Sequence, residues 1–193
     1  MLKTIIVTGG LGYIGSNVSL HMLKLGHRVI IIDNGINCDM DNMTRIINSN
    51  LTDEQQQNLK ILNKDVCELH KERYLWSIRK FSAEFQYEVD TEDYIVIHTS
   101  GLKSVSESIK NPVEYYYHNM SGLVSVLKWM KNVDLTRMIF AGSASVYGDP
   151  VQTPCVEDME LNAQTPYGKS KLMSEQILRD HCKAVPQFKC VVL

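Results

Sequence analysis

Short apolar runs alternate with longer stretches of helical periodicity along this chain. Thr4–Thr8, Arg28–Ile32, Lys60–Leu62, Tyr94–His98, Met138–Ala141 and Lys189–Leu193 read as short buried β-strands. After the first of them, Ile14, Val18, Met22 and Leu25 recur at helical spacing and predict one apolar helix face. Val113, Met120, Leu123 and Leu127 predict another. The polar stretch Asp53–Asn58 predicts a solvated loop or a helix start. Strand and helix alternating in this way predict parallel strands joined by right-handed crossovers. The expected fold is therefore α/β: a Rossmann-type doubly wound parallel sheet with helices on both faces. Ligands of such sheets lie beyond the carboxyl ends of the strands, so the residues just after each run carry the chemistry.

The first run ends at Thr8, and Gly9-Gly10-Leu11-Gly12-Tyr13-Ile14-Gly15 follows at once. Glycines Gly9, Gly12 and Gly15 allow a tight turn, a close approach of backbone to a pyrophosphate, and close packing of helix on strand. The helix opening near Tyr13 offers free N–H groups and a partial positive charge to the same anion. The second run ends at Ile32, and Asp33 follows 21 residues after Gly12. A carboxylate there accepts from the adenine-ribose hydroxyls and repels a 2′-phosphate, which favours NAD over NADP. Either feature alone suits an ordinary turn. Together, in strand–turn–helix context, they point to a dinucleotide.

A second constellation follows the fifth run. Ser143-Ala144-Ser145-Val146-Tyr147-Gly148 lies at its end, and Thr165-Pro166-Tyr167-Gly168-Lys169-Ser170-Lys171 comes later. Thr165 suits a helix N-cap and Pro166 a first helical residue. Tyr167 and Lys171 are then i and i+4 on one face. A free tyrosine, with a pKa near 10, is a poor base at neutral pH. An ammonium about 4 Å away favours the phenolate by ~4 kcal/mol at an effective dielectric of ~20, or roughly three pKa units. Tyr167 is thus a candidate general base, Lys171 its activator, and Ser143 a group to orient the same substrate hydroxyl. Taken alone, Tyr-x-x-x-Lys equally suits a half-buried aromatic beside a solvated lysine.

Composition narrows the partners. With 193 residues the chain is long enough to bury a core without disulfides or metals. A formal net charge of −2 gives no basic surplus for nucleic acid. No run is long enough to span a membrane, and no signal peptide precedes the first strand. The cysteines, Cys38, Cys67, Cys155, Cys182 and Cys190, are odd in number and lack C-x-x-C spacing, which favours reduced thiols in a cytoplasmic protein. No partner cluster accompanies His118, so no metal site is expected.

These residues resemble the extended short-chain dehydrogenase/reductase family of NAD-dependent epimerases and dehydratases. The carrying segments are Val7–Ser16, Asp33-Asn34, Gly101-Leu102-Lys103-Ser104-Val105-Ser106-Glu107-Ser108, Ser143–Asp149 and Pro166–Lys171. Gly-x-x-Gly-x-x-Gly is the spacing typical of that family, and Gly-Leu-Lys-x-Val-x-Glu-Ser is most specific for its members that invert C4 of UDP-hexoses. The resemblance implies reversible interconversion of UDP-glucose and UDP-galactose through a 4-keto sugar, in galactose metabolism. It implies NAD contacts at Gly9, Gly12, Tyr13, Ile14, Gly15, Asp33, Asn34, Asn37, Asp65, Val66, Gly101, Lys103 and Lys171. Ser143 and Tyr167 would meet the sugar. A homodimer would form through the helices near 114–130 and 166–183.

The chain departs from the family pattern in three places. Thr99-Ser100 stands where Phe-Ala is usual, His118-Asn119 where Asn-Asn is usual, and Ala141-Gly142 where two hydroxyl residues precede Ser143. The resemblance covers the whole chain but only the family's N-terminal portion. Residues 1–193 are therefore expected to be the NAD-binding domain, with the C-terminal substrate domain missing, as in a fragment or truncated gene product. Alternative readings are a catalytically inactive NAD-binding module, or another nucleotide-sugar epimerase or dehydratase. The absence of an acidic residue in Ser143-Ala144-Ser145 favours the epimerase over a dehydratase.

Overall fold

The computed structural model of the chain describes residues 2–71 and 93–193. Among them six parallel strands form one sheet: β1 (Thr4–Thr8), β2 (Arg28–Asp33), β3 (Leu59–Asn63), β4 (Tyr94–His98), β5 (Arg137–Phe140) and β6 (Lys189–Val192). Their order is β3-β2-β1-β4-β5-β6. The chain steps outward from β1 through β2 to β3, and β4 then lies on the other side of β1. The crevice at their carboxyl ends is thus a topological switch point. Thr8 pairs with Ile32 and with His98, so these three strands end level there.

Helices α1 (Tyr13–Lys24), α2 (Met40–Ser49) and α3 (Asp53–Gln57) occur in the first half. Helices α4 (Val105–Lys110), α5 (Pro112–Tyr116), α6 (Gly122–Asn132) and α7 (Pro166–Ala184) follow in the second. Side chains alternate across each strand and so build two cores. Ile6, Ile30, Ile32, Val96, Met138 and Phe140 pack with Leu123, Val126 and Trp129 of α6 and Leu178 of α7. Ile5, Val7, Val29 and Ile31 pack on the other face with Leu23 of α1 and Ile47 of α2. Each fully buried isoleucine of these central strands contributes roughly 1.5–3 kcal/mol.

The polar stretch after Leu51 is a helix start. Thr52 and Gln55 form a reciprocal cap at the head of α3, each side chain bonding the other's amide. Thr165 caps α7 by accepting from the Gly168 amide at 3.2 Å, with Pro166 in the first turn.

Three expectations are corrected. On α1 Val18 and Met22 pack against the core as expected, but Ile14 and Leu25 are exposed and the buried residues are Gly15, Ser16, Ser19 and Leu23. The helix lies so close to β1 that small residues fill the contact, and Ile14 is turned toward the cleft described below. Val113 is exposed although Leu123 and Leu127 are buried. A π turn over Tyr117–Ser121 separates them, and its wider winding breaks the helical register on which the single face depended. Finally, β6 is an edge strand rather than a buried one. Val191, Val192 and Leu193 are 55%, 41% and 79% exposed, because among the described residues β6 has a partner strand only on the β5 side.

Candidate functional site

A cleft of about 1000 Å³ runs across the carboxyl ends of the central strands, from α2 to α7. Gly9, Gly12, Tyr13, Ile14 and Gly15 line it from the glycine loop. Asp33, Asn34 and Asn37 line it after β2, and Asp65 and Val66 after β3. Gly101 and Lys103 do so after β4, and Tyr167 and Lys171 from α7. The structure therefore brings these sequence-selected residues to one continuous cavity. Ser143 is not among its lining residues, although Ala141 and Gly142 are. Its hydroxyl is 2.8 Å from that of Ser145, and it accepts from the Ser145 amide at 3.2 Å, capping a short 3-10 turn.

The three glycines of the loop have different reasons to be glycine. Gly9 has φ +69°, and a Cβ on it would lie 2.7 Å from Ser100 Cα. On Gly15 a Cβ would lie 2.3 Å from the Gly9 carbonyl oxygen, so the loop and α1 could not close together. Gly12 has ordinary extended dihedrals, and a Cβ there would meet only the Gly9 carbonyl oxygen, at 3.3 Å. Crowding inside the protein is therefore milder at 12 than at 9 or 15. No side chain caps α1, so its first N–H groups are left to a ligand in the cleft. These features fit a dinucleotide pyrophosphate.

Acidic side chains brace the loops at the other end. Asp33 accepts from the Leu11 amide at 3.0 Å and from the Gly35 amide at 2.9 Å. Each carboxylate oxygen takes one backbone donor and keeps acceptor capacity for a ribose hydroxyl. Asp65 accepts from Cys67 N–H at 2.8 Å and from the side-chain Nδ2 of Asn34 at 3.2 Å, which ties the turns after β2 and β3 together. The apolar wall there comes from Leu20 of α1 and from Met43, Ile46 and Ile47 of α2. No motif signalled that contribution.

Asn119 is the structural residue that sequence reasoning passed over. It sits in the π turn, 5% exposed. Its Oδ1 accepts from Leu102 N–H at 2.8 Å, and its Nδ2 donates to Leu102 O at 3.1 Å and to Ser170 Oγ at 2.9 Å. The loop after β4 is thereby stapled to α7, one residue from Lys171. Tyr115 adds a second clasp: it donates to Glu107 Oε2 at 3.0 Å and accepts from the Ser104 amide at 3.1 Å. A lone asparagine carries no signal in one sequence; only its three hydrogen bonds, to Leu102 and Ser170, reveal it.

Lys171 is buried at the end of β5. Its Nζ donates to the Ala141 carbonyl at 2.9 Å and lies 4.8 Å from the centre of the Phe140 ring. Burial lowers its pKa to about 8, against which the Glu175 carboxylate pushes upward. His98 stacks against the Phe140 ring, with centroids 5.7 Å apart, and its Nδ1 lies 2.7 Å from Thr8 Oγ1. Burial, and then the Lys171 charge, depress the His98 pKa to about 3, so the imidazole is neutral. Cys67 beneath the cleft is inert, since burial and then Asp65 raise its thiol to about 12. Among the described residues no cluster of His, Cys, Asp and Glu could hold a metal ion, and no helix is long and apolar enough to cross a membrane.

Comparisons with known proteins agree with this geometry. A family model described as GDP-mannose 4,6 dehydratase matches residues 6–193. A bifunctional UDP-glucose 4-epimerase and UDP-xylose 4-epimerase of Pisum sativum is 38% identical over 99% of this chain and 51% of its own length. A UDP-glucose 4-epimerase of Haemophilus influenzae is 38% identical over 98% of this chain and 51% of its own. The chain thus spans about half the length of the curated relatives it matches. Among solved structures, a UDP-glucose 4-epimerase from Bifidobacterium longum in complex with NAD+ and UDP has a TM-score of 0.78 at 32% identity. It is matched over 98% of this chain and 52% of that one.

Proposed function

The chain belongs to the family of NAD-dependent epimerases and dehydratases, and on that footing we propose that it binds NAD and carries the proton-handling half of a UDP-hexose 4-epimerase. The observation that carries this reading is the single cleft joining the glycine loop and Asp33 to Tyr167 and Lys171. Relatives 38% identical to this chain are named UDP-glucose 4-epimerases, and solved neighbours hold NAD with UDP or a UDP-sugar. A UDP-sugar is accordingly the proposed substrate.

Gly9, Gly12 and the first turn of α1 would hold the pyrophosphate, Asp33 the adenine ribose, and Lys103 and Lys171 the far end. Bound NAD supplies the acceptor and then the donor of hydride at the sugar carbon. Tyr167 takes the proton of the sugar 4-hydroxyl and later returns it. Lys171, fixed on the Ala141 carbonyl, would bring a positive charge to the same end of the cleft as Tyr167. Ser143 would orient the sugar hydroxyl after exchanging its Ser145 partner for substrate. The reaction would belong to galactose metabolism, and five free cysteines suit a reducing cytoplasm.

A second copy of the chain is the proposed protein partner. On α6 the apolar residues Leu123, Val126, Trp129 and Met130 are spent inside the chain. Ile109, Val113, Tyr117 and Met173, on α4, α5, the π turn and α7, remain exposed for such a contact. Conversion of UDP-galactose to UDP-glucose with no added nucleotide tests the activity. Bound NAD without conversion would reduce the reading to an inactive NAD-binding module, and a 4-keto-6-deoxy product would replace it with a dehydratase.

A further inference from the structure

Two side chains of α7 converge on one two-residue segment at the end of β5. Lys171 Nζ donates to the Ala141 carbonyl at 2.9 Å. Four residues on, Glu175 Oε1 lies 3.4 Å from the point that a Cβ on Gly142 would occupy. The i, i+4 spacing sets lysine and glutamate on the same helix face, and Arg179 continues it by another turn. A Cβ on Gly142 would also come within 2.7 Å of the Leu193 carbonyl oxygen, so a side chain at 142 would crowd this corner. The other groups around Lys171 are the Phe140 ring, the neutral His98 of β4, and Tyr167 one turn earlier on α7.

Charge agrees with that placement. Glu175 is the carboxylate that acts on Lys171, opposing the downward pull of burial. Burial raises the pKa of Glu175 itself, while Arg179 and then Lys171 lower it. The acid is thus partly buried between two cations on its own helix.

We propose that Glu175 is a positioning residue for Lys171: reaching the same Ala141–Gly142 corner from one helical turn on, its carboxylate holds the buried ammonium in its seat there. Glu175 does not itself line the cleft and acts through Lys171. This rests on the reading of Tyr167 and Lys171 as the proton-handling pair.

The test is an NMR titration of the full chain carrying ¹³C at the lysine ε position. The Lys171 signal is identified by its loss in Lys171→Arg. It should titrate near pH 8 in the wild type. In Glu175→Gln, which keeps the size and removes the charge, the midpoint should fall by about one unit or more. Glu175→Asp, with the charge on a shorter arm, should fall between the two and provides the reading if the glutamine variant does not fold. A midpoint unchanged or raised in these variants overturns the proposal. The titration needs neither nucleotide nor turnover, so a failed sugar-conversion assay leaves it standing, and its own failure leaves that assay untouched.

Discussion

Leu11 and Asp33 are joined by a hydrogen bond of 3.0 Å from the glycine-loop amide to the carboxylate at the end of β2. The same carboxylate takes the Gly35 amide through its other oxygen. The residue proposed to hold the ribose therefore also holds the pyrophosphate loop to the neighbouring strand.

Asp33→Ala should weaken both functions. Loss of two charge-assisted hydrogen bonds is expected to lower stability by about 1–3 kcal/mol, seen in thermal melting. Calorimetric titration should show NAD affinity falling roughly 10–100-fold. Affinity unchanged in this variant would remove Asp33 from the nucleotide site.

Gly12→Ala and Gly15→Ala should fail in different ways. Position 12 has alanine-compatible dihedrals and a Cβ there meets a single backbone oxygen, tightly, at 3.3 Å, so its variant should fold within about 1 kcal/mol of wild type yet bind NAD at least tenfold more weakly. At position 15 the Cβ meets backbone on two sides, at 2.3 and 2.7 Å, and the expected loss of stability is about 1–3 kcal/mol. Melting curves and nucleotide titrations of the pair separate ligand clearance from packing.

Asn119→Leu keeps volume but strips the amide from Leu102 and Ser170. A stability loss of about 2 kcal/mol is expected from the stranded polar groups. Hydrogen exchange should quicken at the Leu102 amide more than in the β1 core. Uniform exchange across both would argue against a local staple.

Tyr167→Phe should leave nucleotide affinity within a few fold of wild type. Sugar conversion should drop by about 10²–10⁴-fold, the usual contribution of a positioned acid–base group. Full activity in this variant would assign proton transfer elsewhere.

His98 gives the fold a pH dependence with a defined sign. Its folded pKa, about 3, lies below the unfolded value of roughly 6.5, so the unfolded chain binds more protons between those values. Its contribution to stability is complete above about pH 6.5 and is lost progressively as pH falls toward 3. At pH 5 the loss from this residue alone is about 2 kcal/mol. In His98→Gln the fall in melting temperature between pH 7 and 5 should shrink; an equal fall would show that other groups carry it.

Strand positions and the glycine loop were legible because short apolar runs and turn glycines report backbone path directly. β1 and β4 match their expected bounds, and β2 extends one residue further because Asp33 pairs with Asn63. Helix faces were less legible. On α1 Val18 and Met22 pack on the core as expected, but Gly15, Ser16 and Ser19 share its buried side while Ile14 serves the cleft, so hydrophobicity located only half of the face. The π turn at 117–121 left no mark in the pattern, and with it Asn119 stayed hidden. Ser143 was found by its place after β5, but the local cap that turns its hydroxyl to Ser145 is a matter of geometry rather than residue type.

The seat of Lys171 is a main-chain oxygen, and every residue type supplies one. The side chain at 141 is therefore not what holds the lysine, and an alanine there serves as well as a hydroxyl residue would. Saturation mutagenesis across this segment should give a discontinuous map: small residues interchangeable at 141, crowding at 142 where Leu193 presses in, and no substitute tolerated at 171.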